Sequence, residues 1–139
     1  MSIPGPVGSL EAIVETPVEG EPLGAVVVCH PHPQHGGTMH NKVAHTLARS
    51  FVRSGYAALR FNFRGTEGSE GEYDEGIGEL DDALTALRWM RTEVAAGPMW
   101  LAGFSFGAAI ALPHPAYINI GQGRRTIGGC HIDIRYQLI

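Results

Sequence analysis

Ser105 stands in the stretch Gly103-Phe104-Ser105-Phe106-Gly107, after the apolar run Met99-Trp100-Leu101-Ala102 and before Ala108-Ala109-Ile110-Ala111. Glycines two residues to either side of a serine fit the pattern G-x-S-x-G, a strand-to-helix turn so tight that larger neighbours would collide. Such a turn exposes the hydroxyl at the end of a strand, where it can attack an acyl carbon. The pattern alone also fits an ordinary turn in some other doubly wound fold, with Ser105 as a helix N-cap. The apolar run before it and the small helix-forming residues after it favour the nucleophile.

Acyl transfer also needs N–H groups aimed at the oxyanion. In folds built this way one comes from the residue after the nucleophile and one from the loop after an earlier strand. Phe106 is the first of these. The second falls in His30-Pro31-His32-Pro33-Gln34-His35-Gly36-Gly37, where Pro31 and Pro33 have no N–H to give and His32 is the expected oxyanion donor. The plainer alternative makes this segment a rigid connection only.

Five histidines, at 30, 32, 35, 40 and 45, raise the possibility of a metal site. Read as helical, His40 and His45 lie about 140° apart around the axis, and no Cys, Asp or Glu falls between His30 and His45 to complete a ligand set. Neither a metal nor a cofactor is expected.

The elements that must position these residues follow from periodicity. Leu10 to Thr16 reads as an opening strand, and Ala25 to Cys29 is an unbroken apolar run of the kind found in strands covered on both faces. Apolar residues at 39, 43, 47, 51 and 52 predict a helix over Met39 to Ser54, with Gly55 at its C-terminal cap. Tyr56 to Phe61 is the next strand, followed by a loop rich in Gly, Ser and Glu over 64–71. Ile77, Leu80, Leu84, Leu87, Met90 and Val94 mark a second helix, and Met99 to Phe104 a third core strand. This alternation predicts an α/β fold, a doubly wound, mostly parallel sheet in three α/β/α layers.

With 139 residues there is room for one domain, and 44% apolar against 17% charged residues is a globular balance. A net charge of -4 with a single lysine, Lys42, argues against nucleic acid or an anionic membrane as partner. No apolar run reaches the roughly 18 to 20 residues of a membrane span, and Met1 to Gly5 has neither a basic region nor an apolar signal core. A cytoplasmic protein is expected, with Cys29 and Cys130 as free thiols.

Several stretches together carry a resemblance: residues 29–43 (Cys29-His30-Pro31-His32-Pro33 onward to Val43), Leu59 to Gly65, Gly71 to Asp74, Gly78 to Ala83 and Leu101 to Gly107. Over about residues 3–112 the chain resembles a bacterial family of small, lidless α/β-hydrolases related to the dienelactone hydrolases. The resemblance implies an esterase-like serine hydrolase of the α/β-hydrolase fold acting on a small-molecule acyl substrate. One departure is internal: the family pattern after Phe63 has a glycine where this chain has Glu67.

The larger departure begins near Leu112, which divides the chain into the N-terminal part of a hydrolase domain, 1–112, and an atypical tail, 113–139. Pro113 and Pro115 stop the helix after the elbow, and thirteen of the fourteen acids precede them. The family order is Ser, then an acid, then His. Here Asp133 is the only acid after Ser105, and His114 and His131 both precede it. The C-terminal half with its triad partners is therefore expected to be missing and activity impaired. A second reading is an inactive truncated hydrolase or pseudoenzyme that acts, if at all, by self-association through an exposed sheet edge. A third recruits His114 or His131 as base. Within the tail, Ile132, Ile134, Tyr136 and Leu138 alternate with polar residues, so His131 to Leu138 can form a strand. A reading-frame slip near the codon for Leu112 would account for all these changes together. Translating the gene beyond that codon in the other two frames should restore a helix, a strand ending in Asp and a later His, to roughly 200 residues in all. Stop codons within a few dozen residues in both frames would refute this.

Overall fold

The computed structural model describes residues 1–111 throughout and, for 124–127 and 130–138, the course of the backbone. The strands are β1 (Ser2–Gly5), β2 (Gly8–Glu15), β3 (Ala25–Cys29), β4 (Ala57–Phe61), β5 (Met99–Gly103), β6 (Arg124–Ile127) and β7 (Cys130–Leu138). The helices are α1 (Lys42–Arg53), α2 (Ile77–Glu93) and α3 (Phe106–Ala111). The strands form one sheet in the order β1-β2-β4-β3-β5-β7-β6. The centre is parallel, β4 with β3, β3 with β5 and β5 with β7, and the flanks are antiparallel.

Every residue of β3 is buried, which is why its sequence shows no alternation. Its side chains nonetheless go to opposite faces. Ala25, Val27 and Cys29 join Leu59, Phe61, Met99 and Leu101 beneath Ala83, Ala86, Leu87 and Met90 of α2 and Ile110 of α3. Val26 and Val28, with Ala58 and Ala102, pack on Ala44, Leu47 and Ala48 of α1. Two apolar clusters on either side of one sheet make the three layers.

The winding places the site. From β3 the chain crosses through α1 to β4 on one side, then through α2 back over β3 to β5 on the other. Cys29 and Gly103 are paired neighbours at the ends of β3 and β5. The chain leaves one for α1 and the other for α3, on opposite faces, and this opens a crevice at the carboxyl edge.

Helix α1 starts at Lys42, three residues later than its apolar period suggests. Asn41 caps it, its Oδ1 accepting the N–H groups of Val43 and Ala44 at 2.9 and 3.2 Å. Met39 is buried for another reason: it donates its N–H to Asn62 Oδ1 at 2.8 Å and accepts from Arg60 Nη1 at 3.0 Å. His40 therefore lies outside the helix. At the other end Gly55 adopts φ 91°, with its N–H on the Val52 carbonyl and that of Tyr56 on Phe51, a Schellman closure.

Strand β7 pairs along β5 from Met99 opposite Ile134 to Gly103 opposite Leu138. Strand β5 is thus not an edge of the sheet. The tail satisfies that strand's free N–H and C=O groups, and β6 becomes the outer strand on this side.

Two carboxylates hold the loop between β4 and α2. Asp82 is fully buried and takes the Arg64 backbone N–H at 3.0 Å and its guanidinium at 2.8 Å from Nη2 and 3.1 Å from Nε. Glu79, equally buried, accepts the N–H groups of Asp74 and Gly76 at 2.9 and 2.8 Å. Gly78 leaves no room for a Cβ against the Arg64 guanidinium, so the first turn of α2 lies flat on it. Asp82→Ala would strand a guanidinium that is only 8% exposed. We expect it to cost about 3 to 5 kcal/mol in chemical denaturation, against less than about 0.5 kcal/mol for the exposed neighbour in Asp81→Ala.

Candidate active site

The elbow is built by exclusion. A Cβ on Gly103 would overlap the carbonyl of Gly107, and one on Gly107 the carbonyls of Cys29 and His30. Both glycines of the pattern are thus required by backbone approaching backbone. Between them Ser105 adopts φ 57°, a left-handed conformation rare for a side-chain-bearing residue, and it is exposed. The Gly107 N–H closes the turn onto Phe104 O at 3.0 Å, and α3 begins at Phe106. Among the described residues no hydrogen bond engages the Ser105 hydroxyl.

The loop after β3 comes to the same place. The ring of His32 lies 4.7 Å from that of Phe106, centroid to centroid. The His32 carbonyl accepts the N–H groups of His35 and Gly37, both at 3.0 Å. The N–H groups of His32 and Phe106 donate no hydrogen bond among the described residues. His32, distant in sequence, is thus brought against Phe106, the residue next to Ser105, where β3 and β5 end.

Behind the loop stands a histidine whose role the sequence does not disclose. His30 is completely buried, its Nε2 accepting the Phe63 N–H at 3.1 Å and its Nδ1 lying 2.6 Å from the Pro31 carbonyl. A backbone N–H can only donate, so the proton sits on Nδ1 and points at that carbonyl. Burial pulls the His30 pKa down to about 4, against a smaller upward pull from the Pro31 carbonyl. It is a neutral strut between the ends of β3 and β4. Its ring packs on Phe63 at 4.7 Å, and Phe63 meets Phe106 edge-on at 5.8 Å.

The polar surroundings serve shape. Asn62 links Met39 to Glu11, whose carboxylate also takes the Gly68 N–H at 2.9 Å, and these bonds hold Glu11 below its usual pKa. Glu67 adopts φ 47°, so the turn takes a glycine-like backbone at a cost of about 1 kcal/mol. Hydrogen bonding to Asp82 raises the Arg64 pKa further. Cys29 is a free, buried thiol with its pKa pushed up by burial and by the charge of Asp82. Among the described residues no three His, Cys, Asp or Glu side chains converge on a metal position, and no helix is long and apolar enough to cross a membrane. His114 lies outside the described residues, as do the side chains of Cys130, His131 and Asp133.

Comparison with known proteins agrees with this fold. Residues 8–115 match the X-Pro dipeptidyl-peptidase (S15) family. The fold superposes on an α/β serine hydrolase homologue from Coxiella burnetii with a TM-score of 0.76 and 48% identity, over 79% of this chain and 53% of that one. A lidless α/β serine hydrolase from Xanthomonas campestris gives a TM-score of 0.77 and 40% identity, over 84% and 54%. An uncharacterized protein of Rickettsia prowazekii is 41% identical over 110 residues, 78% of this chain and 45% of its own length. The chain spans about half the length of these relatives.

The His30 strut has a pH signature. Its pKa falls from 6.5 in the unfolded chain to about 4 in the fold, so the stabilisation is complete above about pH 6.5 and drains away as pH falls towards 4. Between pH 7 and 5 this amounts to about 2 kcal/mol. Urea denaturation at both values should show that loss in the native chain and a markedly smaller one in His30→Gln, which keeps an acceptor but does not titrate. Equal losses would refute the strut.

Proposed function

The chain belongs to the X-Pro dipeptidyl-peptidase (S15) family and has the α/β serine hydrolase fold, and on that premise we propose that Ser105 is its nucleophile, acting on an ester or related acyl bond of a small substrate. The observation that carries the reading is the exposed Ser105 at φ 57°, between two glycines that backbone contacts forbid to change. In this reading Ser105 Oγ attacks the acyl carbon as its proton passes to water, and the negative charge that develops on the carbonyl oxygen is met by the N–H groups of His32 and Phe106. Collapse of the tetrahedral intermediate expels the leaving group, which takes up a proton from water, and a second water then releases the acyl group as the acid and restores the Ser105 hydroxyl. A cytoplasmic location is part of the same proposal and rests on the free thiol of Cys29.

Turnover by this chain should be slow. A serine hydroxyl needs a base to be a good nucleophile at neutral pH, and among the described residues no histidine ring is bonded to Ser105. An oxyanion hole and substrate binding without a complete triad leave roughly a thousandfold to ten-thousandfold acceleration over water. We therefore expect slow hydrolysis of p-nitrophenyl acetate by the purified chain, falling to the buffer rate in Ser105→Ala. Hydrolysis unaffected by that substitution would remove Ser105 as nucleophile. Fast hydrolysis abolished by it would mean that an effective base is present.

A further inference from the structure

Tyr73 lies in the loop between β4 and α2, with its hydroxyl 3.2 Å from Nε2 of His32. The other ring nitrogen, Nδ1, accepts the Gln34 N–H at 3.2 Å. A backbone N–H can only donate, so in the neutral ring the proton is on Nε2 and Tyr73 Oη accepts it. The imidazole is held at both ends and on its faces: His35 stacks on it at 4.4 Å and 18°, and the rings of Phe106 and Tyr73 lie at 4.7 and 5.3 Å. The backbone of His32 runs between two prolines, and its carbonyl is committed to His35 and Gly37. Its N–H is the polar group left without a partner among the described residues.

Tyr73 is itself placed from behind. Glu79 takes the N–H of Asp74, the next residue, and Gly65 at φ 71° folds the start of the loop to within 3.2 Å of the Tyr73 nitrogen, measured from where a Cβ would stand. Burial first, and then the charges of Glu79 and Glu75, push the Tyr73 pKa up, so its hydroxyl stays a neutral phenol.

We infer that Tyr73 is a positioning residue for the oxyanion site: by accepting the His32 Nε2 proton it fixes the imidazole, and through it the direction of the His32 N–H beside Ser105. This rests on the reading of Ser105 and His32 given above. Tyr73 touches no reacting atom; its effect reaches the reaction only through His32. An interaction that matters chiefly in the transition state appears in kcat rather than KM.

The test uses the full chain and Tyr73→Phe, which deletes one oxygen and keeps the aromatic contacts with His32 and Phe106. In the native chain the nitrogen NMR signals of His32 should show the proton on Nε2; a proton on Nδ1 overturns the proposal without any variant. In Tyr73→Phe the His32 Nε2 proton, deprived of its acceptor, should exchange with solvent at least about threefold faster. The Ser105-dependent hydrolysis of p-nitrophenyl acetate should lose about three- to tenfold in kcat, with KM changed less than twofold. Tyr56→Phe, a hydroxyl deletion away from the site, should alter neither. Unchanged His32 exchange in Tyr73→Phe overturns the proposal, whatever happens to hydrolysis. Unchanged kcat overturns it too, while loss of turnover in Ser105→Ala shows that the nucleophile assignment survives. If the native chain shows no Ser105-dependent hydrolysis, that assignment fails and the His32 ring signals alone decide the place of Tyr73.

Discussion

The Cα of Gly107 lies against the carbonyls of Cys29 and His30 with no space for a methyl group between them. This contact joins the beginning of α3 to the end of β3, so the turn that carries Ser105 cannot move without moving the central strand. It also sets the direction in which the loop after β3 must leave. Had the strands been farther apart, or the helix set back by the width of a side chain, His32 and Phe106 would not meet. The left-handed backbone of Ser105 is held by the same contact, since a strained conformer persists only where its surroundings determine it.

Around that point the protein uses its polar residues to pair backbone groups that the loops would otherwise leave without partners. His30 serves the Phe63 N–H, Asn62 the Met39 N–H, Asp82 the Arg64 N–H, and Glu79 two N–H groups of the following loop. Each is a side chain on or beside a rigid element reaching into a loop. The loops at the carboxyl edge thereby acquire the fixed shape that a site for a small substrate requires, although they contain little regular structure.

Much of this was legible in the sequence, and the failures share a cause. The strand Ala25–Cys29 and the start of α2 at Ile77 follow from runs and periods alone, because apolar burial leaves a local trace. The short strand Ser2–Gly5 leaves none: of its residues only Ile3 is buried, and the strand exists by pairing with β2. Met39 fits the helical period because it is apolar, yet it lies ahead of the helix, its N–H donated to Asn62 Oδ1, 23 residues away. Nothing in the apolar period of α2 marks Glu79 and Asp82 as buried, yet both are, since their partners come from a loop folded back over the helix. The serine and its flanking glycines were readable because the constraint on them is local. Tyr73 lies 41 residues from His32, and nothing short of the fold brings them together.

The pairing of Arg64 with Asp82 also bears on the order in which the chain assembles. The two residues are 18 apart in sequence, a separation that a disordered chain closes quickly and repeatedly. If α2 settled onto the sheet before that closure, a bare carboxylate would enter the core, at a penalty of several kcal/mol. Docking of α2 without closure of the loop is therefore disfavoured. In the folded protein the pair ties the loop that carries Tyr73 to the helix that covers one face of the sheet.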